Sequence, residues 1–278
     1  MELDIDFLKN LALTVYNVVH PLLGLKKASE GTETGAGGDI SMHIDVIAEN
    51  SIIHYLEENK IDILLISEEI GEKFIGDKKR AIQNQNILIV DPVDGSNNAV
   101  RGIPYCSVSI AYAIGQSIKD IQKGVVLDLV SKDIYWAVKG KGAYLNDLNI
   151  NVSSLDLSDK CFFELDLPEQ TAFKYIDQMK HIIQRFYRTR ILGSSALSLC
   201  QVARGSMEAF INLKASNRLV DVAAGYLILK EAGGSFFSTE GIEINQGLSI
   251  NTRFPFIACN QKLESYLKKE FMLIRQEH

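Results

Sequence analysis

The sequence has few cysteines and no long basic tract, and these shortages exclude several classes of protein. Its four cysteines are Cys106, Cys161, Cys200 and Cys259. They lie far apart without paired metal-ligand spacing, which argues against a disulfide framework and favours a reducing compartment. The net charge is -6, and the densest basic stretch, residues 78–80, is short. We predict a solvated loop there and expect no binding to nucleic acid or to a membrane surface.

The chain also lacks a membrane-spanning or targeting pattern. No apolar run approaches the roughly 18 residues that a bilayer requires. The first six residues are acidic, whereas a targeting segment would be basic. With 278 residues, of which 46% are hydrophobic, the chain is long enough for a large core. We expect a soluble, cytoplasmic protein.

The spacing of apolar residues predicts alternating helices and strands. Helical periodicity covers residues 8–22 and 42–59, and a glycine-rich segment between them, 29–41, is expected to be a mobile loop or lid. Short apolar runs at 63–66 and 87–90 are typical of buried strands. Strands and helices alternate again after residue 160. We predict an α/β layered fold formed by a single domain, 1–278, with possible lobes of about 1–152 and 153–278.

Carboxylates gather where two predicted strands end. Glu68 follows the first apolar run, and Asp91 and Asp94 follow the second, across a predicted turn that contains Pro92 and Gly95. Ligand sites in α/β sheets form at such strand ends. Two carboxylates about 4 Å apart repel by roughly 4 kcal/mol at an effective dielectric near 20. Oxygen ligands without His or Cys select Mg²⁺ or Mn²⁺ over zinc. The alternative is an Asp that only caps the next helix.

Two further segments extend this pattern. Ser96, Asn97 and Asn98 are short polar residues suited to opening a helix, where backbone amides would face a phosphate. Asp221 directly precedes the apolar run 222–225 and is either a helix N-cap or a further metal ligand.

These residues resemble the signatures of the inositol monophosphatase family. Residues 91–98, Asp-Pro-Val-Asp-Gly-Ser-Asn-Asn, are similar to its first signature, and 67–69, Ser-Glu-Glu, to its Gly-Glu-Glu element. Residues 219–225 with 231–234 resemble its second signature. Asp45 and Glu49 lie where the family has an acidic pair on its second helix, although a solvated helix face is the alternative for Asp45. The details look closest to archaeal dual inositol monophosphatase/fructose-1,6-bisphosphatases.

The resemblance implies an αβαβα five-layer sandwich and a Mg²⁺-dependent phosphomonoesterase with two or three ions, Mn²⁺ being possible. It assigns Glu68, Asp91 and the Val93 carbonyl to the first metal. Asp91, Asp94 and Asp221 would hold the second. The Ser96 hydroxyl, oriented by Asp45, would position the attacking water together with Glu68 as general base.

The resemblance also implies substrate contacts. The amides of Gly95 and Ser96, beside Asp94, would cradle the phosphate. Gly193, Ser194 and Ser195 resemble the sugar-contacting turn of the family, although plain helix capping is the alternative.

Three departures bear on the substrate. Ser96 replaces the threonine of the first signature and keeps its hydroxyl. Val220 replaces the tryptophan that usually precedes the second-signature aspartate, and Lys214 stands where animal members place a glutamate that binds hydroxyls. With Arg190 and Arg218 close along the chain, Lys214 favours a second anionic group, as in fructose-1,6-bisphosphate. A separate departure lies in the glycine-rich segment, where Gly37 occupies a position at which the archaeal relatives are expected to have an Asp, and Asp39 is the nearest substitute for metal binding by the lid.

Two other functions remain open at this point. A nucleotide phosphatase acting on 3′-phosphoadenosine 5′-phosphate or NADP would use the same scaffold. A regulatory protein that has lost activity is the other alternative, but it would be expected to lack at least one metal carboxylate. The expected partner is a small phosphate ester, and the family implies a homodimer.

Overall fold

The computed structural model describes residues 2–34, 36, 40–167 and 172–276. The helices are α1 (Ile5–Val19), α2 (His43–Glu58), α3 (Lys78–Asn84), α4 (Ser96–Arg101), α5 (Ala172–Ile183), α6 (Ser195–Ala203), α7 (Leu219–Glu231) and α8 (Gln261–Gln276). The strands are β1 (Gly31–Thr34), β2 (Ile40–Met42), β3 (Ile63–Ser67), β4 (Gly71–Ile75), β5 (Asn86–Asp94), β6 (Ser107–Ile114), β7 (Ile121–Asp128), β8 (Ile134–Val138), β9 (Ala143–Leu145), β10 (Leu148–Ile150), β11 (Phe162–Asp166), β12 (Arg188–Arg190), β13 (Ala209–Asn212), β14 (Ser235–Phe237) and β15 (Phe256–Cys259).

The strands form two mixed sheets and one small hairpin. The large sheet has the order β10-β9-β8-β7-β6-β5-β3-β4, in which β3 and β5 are parallel and the other pairs are antiparallel. The small sheet has the order β12-β11-β13-β15-β14 and is parallel from β12 to β13. The hairpin consists of β1 and β2.

Three buried clusters show how the layers stack. One lies between α1, α2 and the outer face of the large sheet. A second joins the inner face of that sheet to α6, α7 and the small sheet. A third fills the space between the small sheet and the outer helices α5 and α8. The predicted αβαβα five-layer sandwich is confirmed. Within the described ranges, every helix is too short or too polar to cross a bilayer.

Burial follows the position of each element in these layers. Helix α1 buries one stripe, including Leu8, Leu11 and Val15, and its N-cap Asp4 accepts a hydrogen bond from the Phe7 amide. Helix α7 is buried on all sides from Leu219 to Leu229, because it lies between the two sheets. The four cysteines are buried free thiols.

Two predicted loops are partly regular structure. The basic stretch 78–80 is the first turn of α3, and the prediction of a loop is wrong because the Asp77 carboxylate caps the Arg80 amide at 3.0 Å. The glycine-rich segment contributes β1 and β2, since backbone pairing there outweighs a composition typical of loops. The expectations for Gly37 and Asp39 lie outside the described residues.

Candidate active site

A bulge in β5 brings two predicted carboxylates to one side of the large sheet. The ladder with β6 pairs Asp91 with Ser109 and Asp94 with Ser107, so two residues of β5 oppose one of β6. Residues three apart on a regular strand face opposite sides, and the extra residue restores the same side. The predicted turn is therefore wrong: β5 continues to Asp94, because a bulge tolerates Pro92 in a buried strand.

Three carboxylates from three elements meet beside this bulge. Glu68 follows β3, Asp91 lies in β5 and Asp221 is in the first turn of α7, and their oxygens all lie within 4.8 Å of one another. We call this group the acidic trio. The N-cap alternative for Asp221 is corrected, because the buried Leu219 and Val220 are already helical and Arg218 is the N-cap residue.

Burial in the acidic trio disfavours the ionised forms of Glu68 and Asp91 in the absence of a cation. Burial raises the pKa of Glu68 to about 8, the Arg218 charge lowers it, and the Asp221 charge raises it. Burial, followed by the charges of Glu68 and Asp94, raises the pKa of Asp91 well above its usual range. A cation that neutralised the group would displace protons bound to these carboxyls.

Asp94 connects the large sheet to helix α6. Its Oδ2 accepts hydrogen bonds from the Ser194 hydroxyl at 2.5 Å and from the Ala196 amide at 2.7 Å. Its Oδ1 accepts one from the Ser195 amide at 3.2 Å. Burial raises the pKa of Asp94 to about 7, against the lowering effect of the Ser194 hydrogen bond. Asp94 therefore faces the cavity beside the acidic trio, with its carboxylate anchored at the start of α6.

Asp45 is placed in the same way as Asp221. Each is the third residue of its helix and accepts the amide of the N-cap residue, at 2.9 Å for Asp45 and 3.0 Å for Asp221. Burial raises the pKa of Asp45 to about 7. Ser96 opens α4 at the cavity. Among the described residues, no hydrogen bond joins its hydroxyl to Asp45.

A cavity of about 740 Å³ unites most of the predicted site residues. Those that line it are Asp45, Glu68, Asp91, Val93, Asp94, Gly95, Ser96, Gly193, Ser195, Lys214, Arg218 and Asp221. Two predicted residues are not part of the lining. Ser194 is buried as the N-cap of α6, and Arg190 donates to the Thr189 carbonyl at 3.0 Å beside the ring of Phe162.

The sequence interpretation missed part of the cavity wall. The missed residues are Met42, Asp166, Ser216, Asn217 and Arg253, whereas Glu69 and Asn97, which also line the cavity, belong to the motifs at 67–69 and 91–98. Asp166 pairs with Lys214 at 2.9 Å between carboxylate and ammonium. It ends the apolar strand β11, so the strand-end pattern that predicted Glu68 and Asp91 also applies to it. Arg253 comes from a loop without any such signal.

Two glycines allow the turns around the cavity to approach each other. Gly95 has φ +86°, and a Cβ there would meet the carbonyl oxygens of Gly193 and Tyr105 at 3.0 Å. The Asn98 amide donates to the carbonyls of Tyr105 and Leu192, both at 2.8 Å. The start of α4 is thereby fixed against the turn that precedes α6.

The composition of the cavity fits hard divalent cations. Seven carboxylates and three cationic side chains line it, so negative charges outnumber positive ones by four when every group is ionised. The acidic trio offers only oxygen ligands, which suits Mg²⁺ or Mn²⁺. A phosphate anion would be repelled from this cavity unless cations entered with it, and two divalent ions would cancel the excess.

Comparisons with known proteins agree with this site. The sequence matches the model of the inositol monophosphatase family over residues 2–271. A fructose-1,6-bisphosphatase/inositol-1-monophosphatase of Methanothermobacter thermautotrophicus is 36% identical, covering 93% of this chain and 94% of that protein. The crystal structure of an inositol monophosphatase–fructose 1,6-bisphosphatase has a TM-score of 0.83 and 26% identity, covering 98% of this chain and all of that one.

A second kind of relative is longer than this chain. A bifunctional NADP phosphatase/NAD kinase of Methanococcus maripaludis is 37% identical over 93% of this chain, which spans about half, 47%, of that protein. The resemblance inferred from the signatures is confirmed: the chain belongs to the inositol monophosphatase family, a family of metal-dependent phosphomonoesterases.

Proposed function

We propose that this chain hydrolyses phosphate monoesters of small sugars or polyols, with inositol-1-phosphate and fructose-1,6-bisphosphate as substrates and Mg²⁺ as the cofactor. The observation that carries the proposal is the acidic trio at the cavity, with its carboxylate oxygens within 4.8 Å. Glu68, Asp91 and Asp221 would hold the cations, with the Val93 carbonyl and Asp94 as further ligands beside them. Bound cations would supply charge neutralisation at the phosphate and a lower pKa for a water molecule.

The residues of the chain divide the remaining tasks. The Asp45 carboxyl, with a pKa of about 7, lines the cavity and can take up a proton near neutral pH. Glu68 is the second candidate for this role. The Ser96 hydroxyl and the Gly95 backbone lie at the start of α4, where they would orient a phosphate oxygen. Gly193 and Ser195 would contact the sugar.

Lys214 supports a substrate with two anionic groups. Its side chain is about one third exposed, 35%, and pairs with Asp166 on the cavity wall. A substrate phosphate could exchange with that carboxylate. Lys214→Glu should therefore reduce turnover of fructose-1,6-bisphosphate more than that of inositol-1-phosphate. Equal losses for both substrates would contradict this assignment.

A second candidate is hydrolysis of the 2′-phosphate of NADP. It is favoured by the 37% identity to a protein named as an NADP phosphatase/NAD kinase, of which this chain spans about half. The cavity chemistry is the same for both candidates, so only turnover distinguishes them.

The test is phosphate release from inositol-1-phosphate, fructose-1,6-bisphosphate, 3′-phosphoadenosine 5′-phosphate and NADP, with Mg²⁺ and with EDTA. Mg²⁺-dependent turnover of the first two would support the proposal. Turnover of the nucleotides alone would move the substrate class to the second candidate. Mg²⁺ binding without turnover of any of the four would favour a regulatory role.

A further inference from the structure

The Arg218 guanidinium lies against two members of the acidic trio. Its Nη1 donates to Glu68 Oε1, and its Nε donates to Asp221 Oδ1 at 3.1 Å and to Oδ2 at 3.4 Å. The side chain is 16% exposed, as is that of Glu68, and Asp221 is 12% exposed. These contacts are charge-assisted and shielded from water, which makes them strong.

The backbone keeps Arg218 beside the acidic trio. Arg218 is the N-cap residue of α7, and its amide donates to Asp221 Oδ2 at 3.0 Å. On the other side its backbone bridges to Arg253. The backbone of Arg218 is therefore held next to Asp221, at a position from which its side chain reaches the acidic trio.

Arg218 and a divalent cation have the same partners. Two of the three carboxylates that could hold a metal already accept hydrogen bonds from the guanidinium. Two cations on the same pair of carboxylates repel each other, and burial leaves that repulsion weakly screened. Lys214 differs in this respect, because it pairs with Asp166 outside the acidic trio.

We propose that Arg218 is a built-in counter-ion, which neutralises the acidic trio in the metal-free protein and competes with divalent cations for Glu68 and Asp221. The inference rests on the proposed function only in that the acidic trio binds divalent cations, and it is independent of the substrate. Arg218 stabilises the metal-free state and thereby lowers the affinity for metal. Once displaced, the same guanidinium is available to an anionic substrate in the cavity.

Two effects of opposite direction test this role. In EDTA, Arg218→Met should lower the melting temperature, because the acidic trio loses its counter-ion. In calorimetric titrations with Mg²⁺, the same variant should bind at least tenfold more tightly than the wild type, and its Mg²⁺-induced rise in melting temperature should be larger. If Arg218 had a purely structural role, Arg218→Met would lower the melting temperature equally in EDTA and in Mg²⁺ and would leave the Mg²⁺ affinity unchanged.

Lys214→Met is the matched control, since it removes a positive charge from the same cavity without touching the acidic trio. Its Mg²⁺ affinity should stay within about threefold of the wild type, a change expected of a longer-range charge. Arg218→Lys keeps the charge but loses the two-donor fork, and it should bind Mg²⁺ more tightly than the wild type and less tightly than Arg218→Met. This milder variant carries the test if Arg218→Met does not fold without metal.

The outcomes separate this inference from the proposed function. If the wild type binds Mg²⁺ and the Arg218 variants bind it equally or more weakly, the counter-ion role is overturned and the metal site stands. If neither the wild type nor any variant binds Mg²⁺ or Mn²⁺, the metal site and the counter-ion role fail together. If Lys214→Met tightens binding as much as Arg218→Met, the effect is general cavity charge and the specific role of Arg218 is refuted.

Discussion

Replacing Asp91 with Asn should stabilise the metal-free protein while abolishing its response to Mg²⁺. Asp91 is 1% exposed and lies within 4.8 Å of two other carboxylates. Its Oδ1 accepts the Val93 amide at 3.1 Å, and the Asn side-chain oxygen can accept the same bond. The substitution therefore removes charge while the shape and this contact remain.

The magnitude follows from the geometry of the acidic trio. Two unit charges 4.8 Å apart repel by about 3.5 kcal/mol at an effective dielectric near 20. Asp91 faces two such charges, and Arg218 offsets about one of them, so the expected gain in unfolding free energy is about 3 kcal/mol. At about 2.1 cal/mol/K per residue, this corresponds to a rise in melting temperature of about 5 °C for a chain of 278 residues.

Differential scanning fluorimetry in EDTA and in Mg²⁺ measures both parts of this prediction. The order of the melting temperatures should reverse at a Mg²⁺ concentration about 1,000 times the Kd, because the wild type gains about 4.1 kcal/mol there, more than the gap of about 3 kcal/mol, and Asp91→Asn does not. Asp147→Asn, at an exposed position between β9 and β10, is the control and should change neither value by more than about 1 °C.

The stability difference should also grow with pH. Because burial raises the pKa of Asp91 in the folded state, the wild type loses stability as pH rises and this carboxyl ionises, whereas Asn does not titrate. The gap should be small at about pH 4, near the pKa of an unfolded Asp, and should grow as the pH rises above it. A metal-free Asp91→Asn protein that melts below the wild type at pH 8, or an equal Mg²⁺-induced rise in both proteins, would refute the reasoning.

Two further predictions concern the supports of the cavity. Burial raises the pKa of Glu164, whose Oε1 accepts the Leu192 amide, to about 7. Glu164→Gln imitates the protonated acid, so its advantage in melting temperature over the wild type should grow between pH 4.5 and pH 8.5. The expected growth is up to about 5 °C, which corresponds to about 3 kcal/mol of unfolding free energy. A difference that stays constant with pH would contradict the raised pKa of Glu164. Gly95→Ala places a Cβ 3.0 Å from the Gly193 carbonyl oxygen at a backbone φ of +86°. The variant should therefore lose about 2 kcal/mol of unfolding free energy and most of its phosphate release. Wild-type stability and wild-type phosphate release would show that the turns at Gly95 and Gly193 can separate.

The acidic trio is largely predictable from the sequence because its members flank apolar elements. Glu68 directly follows the short apolar strand β3, Asp91 lies in the apolar strand β5, and Asp221 lies in the first turn of an apolar helix. Their meeting point follows from the family resemblance and not from the periodicity. Packing of α7 against the large sheet is a tertiary contact, and no local pattern encodes it.

The bulge in β5 could not be predicted from the sequence, for a different reason. Pro92 and Gly95 are typical of turns, and a turn at 91–96 would also bring Asp91 and Asp94 to one side. The structure reaches the same result within a continuous strand, since pairing with β6 persists on both sides of the extra residue. The right side chains were therefore predicted together on the basis of the wrong local geometry.

Arg218 shows where interpretation of single residues fails. Its position near Asp221 in the sequence suggests a contact with an anionic substrate, and the structure places its guanidinium on the carboxylates themselves. The distinction depends on Glu68, which approaches from another element of the fold. A charge at a helix N-cap can face either solvent or a neighbouring site, and only the tertiary approach of Glu68, just after β3, to the start of α7 decides between them.

The electrostatics of the cavity link metal binding to folding. Burial raises the pKa of Glu68 and Asp91, so the metal-free fold is penalised whenever these groups are ionised. Arg218 relieves part of this penalty without metal, and divalent cations would relieve more of it. A cation bound by the folded state alone stabilises that state, whereas one held by exposed carboxylates would gain little from folding. The free energy of unfolding should therefore depend on Mg²⁺ at the same concentrations at which the site fills, and Asp91→Asn and Arg218→Met should move that dependence in opposite directions.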